Sequence, residues 1–391
     1  MLQDITIDEL VVGMYVVQVL EQTGQISIKT EGLVNSATMI QQLKQRGIRR
    51  IQVDPSKQRF AAAPEVAPSP TVTTSKTPIQ QELGRAHQLY QAAKAVQQKA
   101  FNDILQGKSI ELEPFQRCAD GVIESVFRNQ DALLCMTQIR EKDSYLLEHS
   151  LNVSILMTIF AKHLALPEDE IQQLATGALL HDIGKIRIPD HILHKPGKLT
   201  LDEFVVMKSH VNHSTDILRQ MKGLSELSIA VAAMHHERLD GGGYPLGLAA
   251  AQLPAYARMI AIVDTYDAIT ATRCYKAGQT NLTAFKILRK DSHSHFDAEL
   301  VTKFIQAIGI YPVGSLVKLK SQKLAIVTES NWDEPAKPKV KVFYHCRFAR
   351  HIEVQTLDLA SPRQDDAIDA AVKPEDFGID LIKFFRQSVL G

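Results

Sequence analysis

The stretch HHERLDGGGYPLG, residues 235–247, joins two adjacent histidines to an acidic, glycine-rich turn that closes on Tyr244-Pro245. Upstream lies HDIGKIRIPD at 181–190, and downstream IVDTYDAIT at 262–270. Together these segments supply imidazoles and carboxylates with no thiolate beside them, which suggests a metal site of nitrogen and oxygen ligands. Histidine usage supports the same reading: 11 of the 14 histidines fall between His149 and His295, little more than a third of the chain. His149 lies in an apolar helical run, and His181 and Asp182 end another. His210 sits in a polar helix, His235 and His236 follow IAVAAM, and Asp264 is embedded in MIAIVDTYDAI. A buried imidazole or carboxylate is costly unless paired or metal-bound. Any one of these alone reads as a satisfied core histidine or a capped aspartate; the set together does not.

A His-Asp pair suits two metals, because one carboxylate can bridge both ions while the neighbouring imidazole binds one. Nitrogen and oxygen ligation without sulfur favours iron, manganese or zinc over copper(I) or an iron–sulfur cluster. Two such ions lower the pKa of a bridging water toward roughly 7 and clamp the oxygens of an in-line phosphoryl displacement. Phosphodiester hydrolysis is the chemistry such a site would serve.

The rest of the chain sets bounds. At 391 residues it is long enough for two or three domains. Its 44 basic and 44 acidic side chains cancel, which argues against a dedicated nucleic-acid or anionic-membrane surface. Cys118, Cys135, Cys274 and Cys346 form no CxxC pair, which fits reduced thiols in a cytoplasmic protein. MLQDITIDEL has no signal-peptide character, and the apolar run at 151–166 is too short and polar to span a bilayer. The fold class expected is mainly α. Residues 1–54 read as a small α/β accessory module, with strands in LVVGMYVVQVL and IRRIQVD and a helix in SATMIQQLKQRG. Residues 55–78 carry five prolines and read as a linker. Helical periodicity then runs through a connecting region, 79–140, and a catalytic domain, 141–312. Alternating runs in 313–391 predict a small β appendage, closed by a helix over about 374–389.

HDIGK, the IPD after it, KPGKLT at 195–200, HHERLDGGGYP and the D…R.YK spacing resemble, in order, the HD-GYP subgroup of HD-domain phosphohydrolases, over roughly residues 140–312. The resemblance implies an all-α HD-type domain, two or sometimes three metal ions, and degradation of cyclic di-GMP through a metal-bridging hydroxide, to pGpG and onward to GMP. It makes His149, His181, Asp182, His210, His235, His236 and Asp264 the metal ligands, with Asp182 bridging. It places Lys185 as a phosphate contact or proton donor to the leaving oxygen, and Arg273 and Lys276 as the pair that grips substrate phosphates. Tyr244 would shape the substrate entrance, and the Gly-Tyr-Pro turn would also dock diguanylate cyclase domains. Residues 1–54 resemble a module that often precedes this domain.

Three positions depart from the family pattern. Tyr145 stands where three-metal members carry glutamate, so two ions are expected, iron or manganese ahead of zinc. Ser214 replaces a glycine, and His213 adds an imidazole three residues after His210. Cys274 stands where proline is frequent. A preference for cyclic GMP-AMP, and a cyclic-dinucleotide-binding or cyclase-docking regulator without turnover, are the competing readings. A homo-oligomer is compatible with the sequence.

Overall fold

The computed structural model describes residues 2–7, 10, 14–22, 32–34, 40, 43–44, 47–54, 77–138, 145–271 and 278–380. The chain divides into two compact units, residues 1–75 and 76–391.

In the first unit, β1 (Gln3–Thr6), β2 (Tyr15–Gln22), β3 (Gly32–Leu33) and β4 (Ile48–Val53) form an antiparallel sheet of order β1-β4-β2-β3. Val16, Ile48, Ile51 and Val53 turn inward to meet Ile7, Leu10, Val34 and Leu43 in a small core. The strands expected around residues 15 and 48 are present, and β1 and β3 extend the sheet beyond them. Of the expected helix over 36–47, Ile40, Leu43 and Lys44 are helical. Its other residues up to Arg46, and the linker up to Lys76, lie outside the described residues.

The second unit opens with α1 (Ile79–Leu105) and α2 (Glu113–Gln138). α2 breaks at Asn129, whose extended backbone interrupts the helix and whose Oδ1 accepts from the amide of Asp131, restarting it as an N-cap does. α3 (Tyr145–His163) runs through the middle: every residue from Glu148 to Ala161 is buried. That surround explains why LNVSILMTIFA shows no polar stripe. Around it lie α4 (Glu168–Leu180), a 3-10 turn (Ile183–Arg187), α5 (Asp190–Leu193), α6 (Leu201–Lys208), α7 (His210–Arg219), α8 (Glu226–Met234), α9 (Ala255–Thr270), α10 (Asn281–Lys290) and α11 (Ala298–Ile308). Among the described residues no helix is long and apolar enough to cross a membrane.

The C-terminal strands β5 (Leu316–Leu319), β6 (Lys323–Glu329), β7 (Lys339–His345), β8 (Arg350–Asp358) and β9 (Ile368–Ala371) form one antiparallel sheet of order β8-β7-β6-β5-β9. Val317, Ile326 and Phe343 belong to the same hydrophobic core as the helices, and Asp131 of α2 accepts from both the hydroxyl and the amide of Ser330. The divisions expected at 79–140, 141–312 and 313–391 therefore do not mark separate cores: the sheet is a wall of the helical unit. The closing helix expected from residue 374 is also corrected over its first turns. Pro374–Phe377 is a 3-10 turn ended by Gly378 in the left-handed region, a conformation that stops a helix. Residues 381–391 lie outside the described residues.

Candidate metal centre

Three of the expected ligands share one local device. His181 and His235 occupy the C-caps of α4 and α8, and His210 opens α7, one residue past Ser209, the C-cap of α6. The last carbonyls of a helix have no amide partner within it. In each case the imidazole supplies one, with Nδ1 donating to the carbonyl three residues back: His181 to Ala178, His210 to Met207 and His235 to Ala232, all at 2.7 Å. The bond places a proton on Nδ1 and turns each Nε2 toward the site.

His149 cannot use that device, because it lies inside α3 where the preceding carbonyls are engaged. Its Nδ1 donates instead to Asp267 Oδ2 at 2.8 Å. Asp267 escaped the sequence reading; the available signal was its position three residues after Asp264 in an apolar helix, which puts both carboxylates on one face. This carboxylate–histidine pair orients Nε2 and raises its basicity. Asp267→Asn is expected to weaken metal binding about 10–100-fold with the fold intact. Titration of the metal-free protein with manganese(II), followed by equilibrium dialysis, checks it.

The Nε2 atoms converge on two carboxylates. Asp182 Oδ2 lies 3.4 Å from both His149 and His181, while its Oδ1 lies 3.3 Å from His210 and 3.7 Å from His235. Asp264 Oδ1 lies 3.0 Å from His149 and 3.7 Å from His181, with its Oδ2 3.8 Å from His236 Nδ1. The donors thus fall into two clusters, His149-His181-Asp182 and His210-His235-His236. All are buried except His236, whose side chain is 28% exposed and marks the open side.

The electrostatics suit cations. Burial opposes a charge on His181, but the carboxylates of Asp182 and Asp264 outweigh it and raise its pKa to about 9. Burial and the neighbouring His236 and His181 drive His235 well below the usual imidazole value, and burial takes His236 down to about 3. Burial alone would push both aspartates up. Instead His181 and Lys185 hold Asp182, and His149 and His181 hold Asp264, well below the usual carboxylate range. A field that favours a proton on buried His181 also favours a metal ion in the same space. His181 Nε2 and Asp182 Oδ1 are buried without a well-aligned hydrogen-bond partner, which costs about 1–3 kcal/mol each. Ions shared between the clusters would satisfy both atoms, so the residues present fit a pair of divalent cations.

The surroundings hold this arrangement in place. Gly184, next but one to Asp182, packs where a Cβ would stand 2.2 Å from His210 O and Ser214 N, and its amide donates to Ser214 Oγ at 2.9 Å. The serine that replaces the family's glycine therefore ties the aspartate's turn to the His210 helix. His213 joins neither cluster. Lys185 Nζ lies 2.5 Å from Asp182 Oδ2 at the edge of the site. Glu237, also missed by the sequence reading, is buried and accepts from the amides of Leu246, Gly247 and Leu248 at 2.7, 3.2 and 3.0 Å. It pins the Gly-Tyr-Pro loop, and Gly243 permits the return, since a Cβ there would stand 2.5 Å from Arg238 N. The loop carries Tyr244, joined to Pro245 by a cis peptide, with its ring 4.7 Å from that of His236. Burial, then the charges of Asp264 and Asp182, push the Tyr244 hydroxyl far above its ordinary pKa, so it stays a neutral donor. Arg273, Cys274 and Lys276 lie outside the described residues, as does the side chain of Tyr145.

A helical unit with a buried His-Asp pair between two imidazole clusters defines a class, the HD-domain proteins, which depend on divalent metal. Residues 133–300 match the family model described as HD domain, and residues 2–115 match a domain of unknown function, DUF3391. The chain is 34% identical over 379 residues to cyclic di-GMP phosphodiesterase PA4108 of Pseudomonas aeruginosa, covering 94% of this chain and 91% of that one. It is 36% identical over 159 residues to 3'3'-cGAMP-specific phosphodiesterase 2 of Vibrio cholerae, covering 40% of this chain and 30% of that one. It is 34% identical over 229 residues to a probable cyclic di-GMP phosphodiesterase of the same organism, covering 54% and 51%. The chain belongs to the HD-GYP family of HD-domain phosphohydrolases.

Proposed function

We propose that this protein hydrolyses cyclic di-GMP at a centre of two divalent metal ions, iron or manganese, held by His149, His181, Asp182, His210, His235, His236 and Asp264. The observation that carries this reading is Asp182, whose two oxygens face different histidine clusters. When bound, the ions supply Lewis acidity and a water acidic enough to attack at neutral pH. The residues do the rest. Asp182 and Asp264 place their negative charge between the clusters. Asp267 and the three helix-end carbonyls keep every imidazole they touch in one tautomer. Water oxygen bonds to phosphorus, the bond from phosphorus to the 3′ oxygen breaks, and Lys185, at the edge beside Asp182, gives that oxygen its proton. Linear pGpG results, and a second cleavage gives GMP. Arg273 and Lys276 are the phosphate grip that the sequence motif supplies. Pro245 and Leu246 are exposed at the loop tip, leaving the Gly-Tyr-Pro turn open to a diguanylate cyclase domain.

The cyclic GMP-AMP-specific relative favours a second reading in which the mixed dinucleotide is preferred. Both are tested by product chromatography with protein purified without oxygen and loaded with iron(II) or manganese(II). Cyclic di-GMP supplied with an equal amount of cyclic GMP-AMP is expected to disappear first, with pGpG appearing. Tight binding of either dinucleotide with no product would replace the enzyme by a binding protein.

A further inference from the structure

The short helix α6 has an unusual surface. It contains Leu201, Phe204, Val205, Val206 and Met207 among eight residues, yet none of the eight is buried. Phe204 is 45% exposed and Leu246, on the Gly-Tyr-Pro loop, is 64% exposed. An apolar helix with no buried face is expected to meet something else. The Phe204 ring lies edge-on to Tyr244 at 6.3 Å, and Tyr244 in turn leads to His236 at 4.7 Å. Lys208, one turn after Phe204, places its Nζ 5.3 Å from the Phe204 ring and 5.8 Å from the Tyr244 ring. The far end of α6 is tied to the metal centre, because the Met207 carbonyl accepts from His210 Nδ1. A capping box from Thr200 and Glu203, with Lys195 paired to Glu203, fixes the near end.

Two aromatic rings and an ammonium, with the helix that carries Phe204 and Lys208 tied at its end to a centre that would bind phosphate, match a purine nucleotide: the ring stacks and the cation meets carbonyl or phosphate oxygens. We propose that Phe204, Tyr244 and Lys208 form a nucleobase platform that receives a guanine of the cyclic dinucleotide while its phosphate sits over the His-Asp clusters. The proposal rests on the function read above and adds to it where the base binds and which residues outside the metal motifs hold it. A stacked base needs ring area rather than a donor pattern, so the platform supplies affinity for purines in general.

The test is equilibrium dialysis of cyclic di-GMP against the full-length protein in excess chelator, where no turnover occurs. Phe204→Ala is expected to weaken binding about tenfold, and Phe204→Trp to restore or tighten it. Because Phe204 is exposed, both variants are expected to keep the wild-type melting temperature. In manganese-loaded protein, the ratio of kcat/KM for cyclic di-GMP to that for bis(p-nitrophenyl) phosphate, which has no base, is expected to fall by a similar factor in Phe204→Ala. Unchanged affinity in Phe204→Ala, equal losses on both substrates, or a wild type that does not bind cyclic di-GMP would overturn the platform. A wild type that binds it, with Phe204 mattering, but yields no product would instead overturn the assignment of turnover.

Discussion

Asp182→Ala is expected to lower the rate of cyclic di-GMP hydrolysis on the order of a thousandfold and to weaken retention of divalent metal. The geometry sets the size of the effect. Asp182 approaches four imidazoles, two with each oxygen, whereas Asp264 approaches the second cluster only at 3.8 Å. Without Asp182 the two clusters lose the carboxylate common to both, and His181, whose raised pKa depends first on that carboxylate among its favourable neighbours, loses its main counter-charge. The loss falls on metal retention rather than on packing, since the substitution sits at the centre of a polar site and not in the apolar core. Elemental analysis of the purified variant, read beside its melting temperature and its turnover, separates the two. Wild-type turnover in Asp182→Ala, under saturating manganese(II), would remove this carboxylate from the reaction.

Gly184→Ala is expected to be nearly as damaging, although residue 184 offers no side chain to any ion. The added methyl would stand 2.2 Å from the carbonyl of His210 and from the amide of Ser214. Both are backbone atoms of α7, so no rotamer change relieves the clash. The 3-10 turn that carries Asp182 must separate from the helix that carries His210, and the 3.3 Å approach between their side chains opens. Overpacking of this kind costs about 1–3 kcal/mol in stability, and an ångström of misplacement in a preorganised site can cost on the order of a hundredfold in rate. The expected outcome is a folded protein with a lower melting temperature and about a hundredfold less activity at saturating metal. Wild-type metal affinity and rate together would show that the turn and α7 tolerate separation. Gly121→Ala makes a useful comparison: its added methyl would meet the side chain of Leu89, which can move, so activity should be little changed.

The residues of the two clusters were legible in the sequence as candidates because imidazoles and carboxylates in apolar runs have few other ways to be satisfied. His181, His235 and Asp264 each end or interrupt such a run, and each is buried in the centre. The helices were legible from their 3.6-residue period, and β5 to β8 from alternation. Other features were not. α3 is apolar on every side, so its sequence carries no direction. Asp267 could not be assigned a partner, because His149 lies 118 residues earlier in the chain. Glu237 looked like one more charge in a polar turn, and only its three amide donors identify it as the anchor of the Gly-Tyr-Pro loop. Ser214 read as a departure from a pattern, and its hydroxyl turned out to receive the Gly184 amide. The sheet read as an appendage, since strand periodicity says which face is apolar but not what covers it.

Sequence alone determined the chemistry of the donors and the family they define. Those follow from residue type and order along the chain, which packing does not alter. Tertiary structure decided that Asp182 faces both clusters, that Asp267 orients His149, and that Phe204 and Lys208 stand beside Tyr244 at the open side. The reason is physical. Those relations depend on how closely helices approach, which is set by contacts such as the missing Cβ of Gly184 rather than by spacing along the chain.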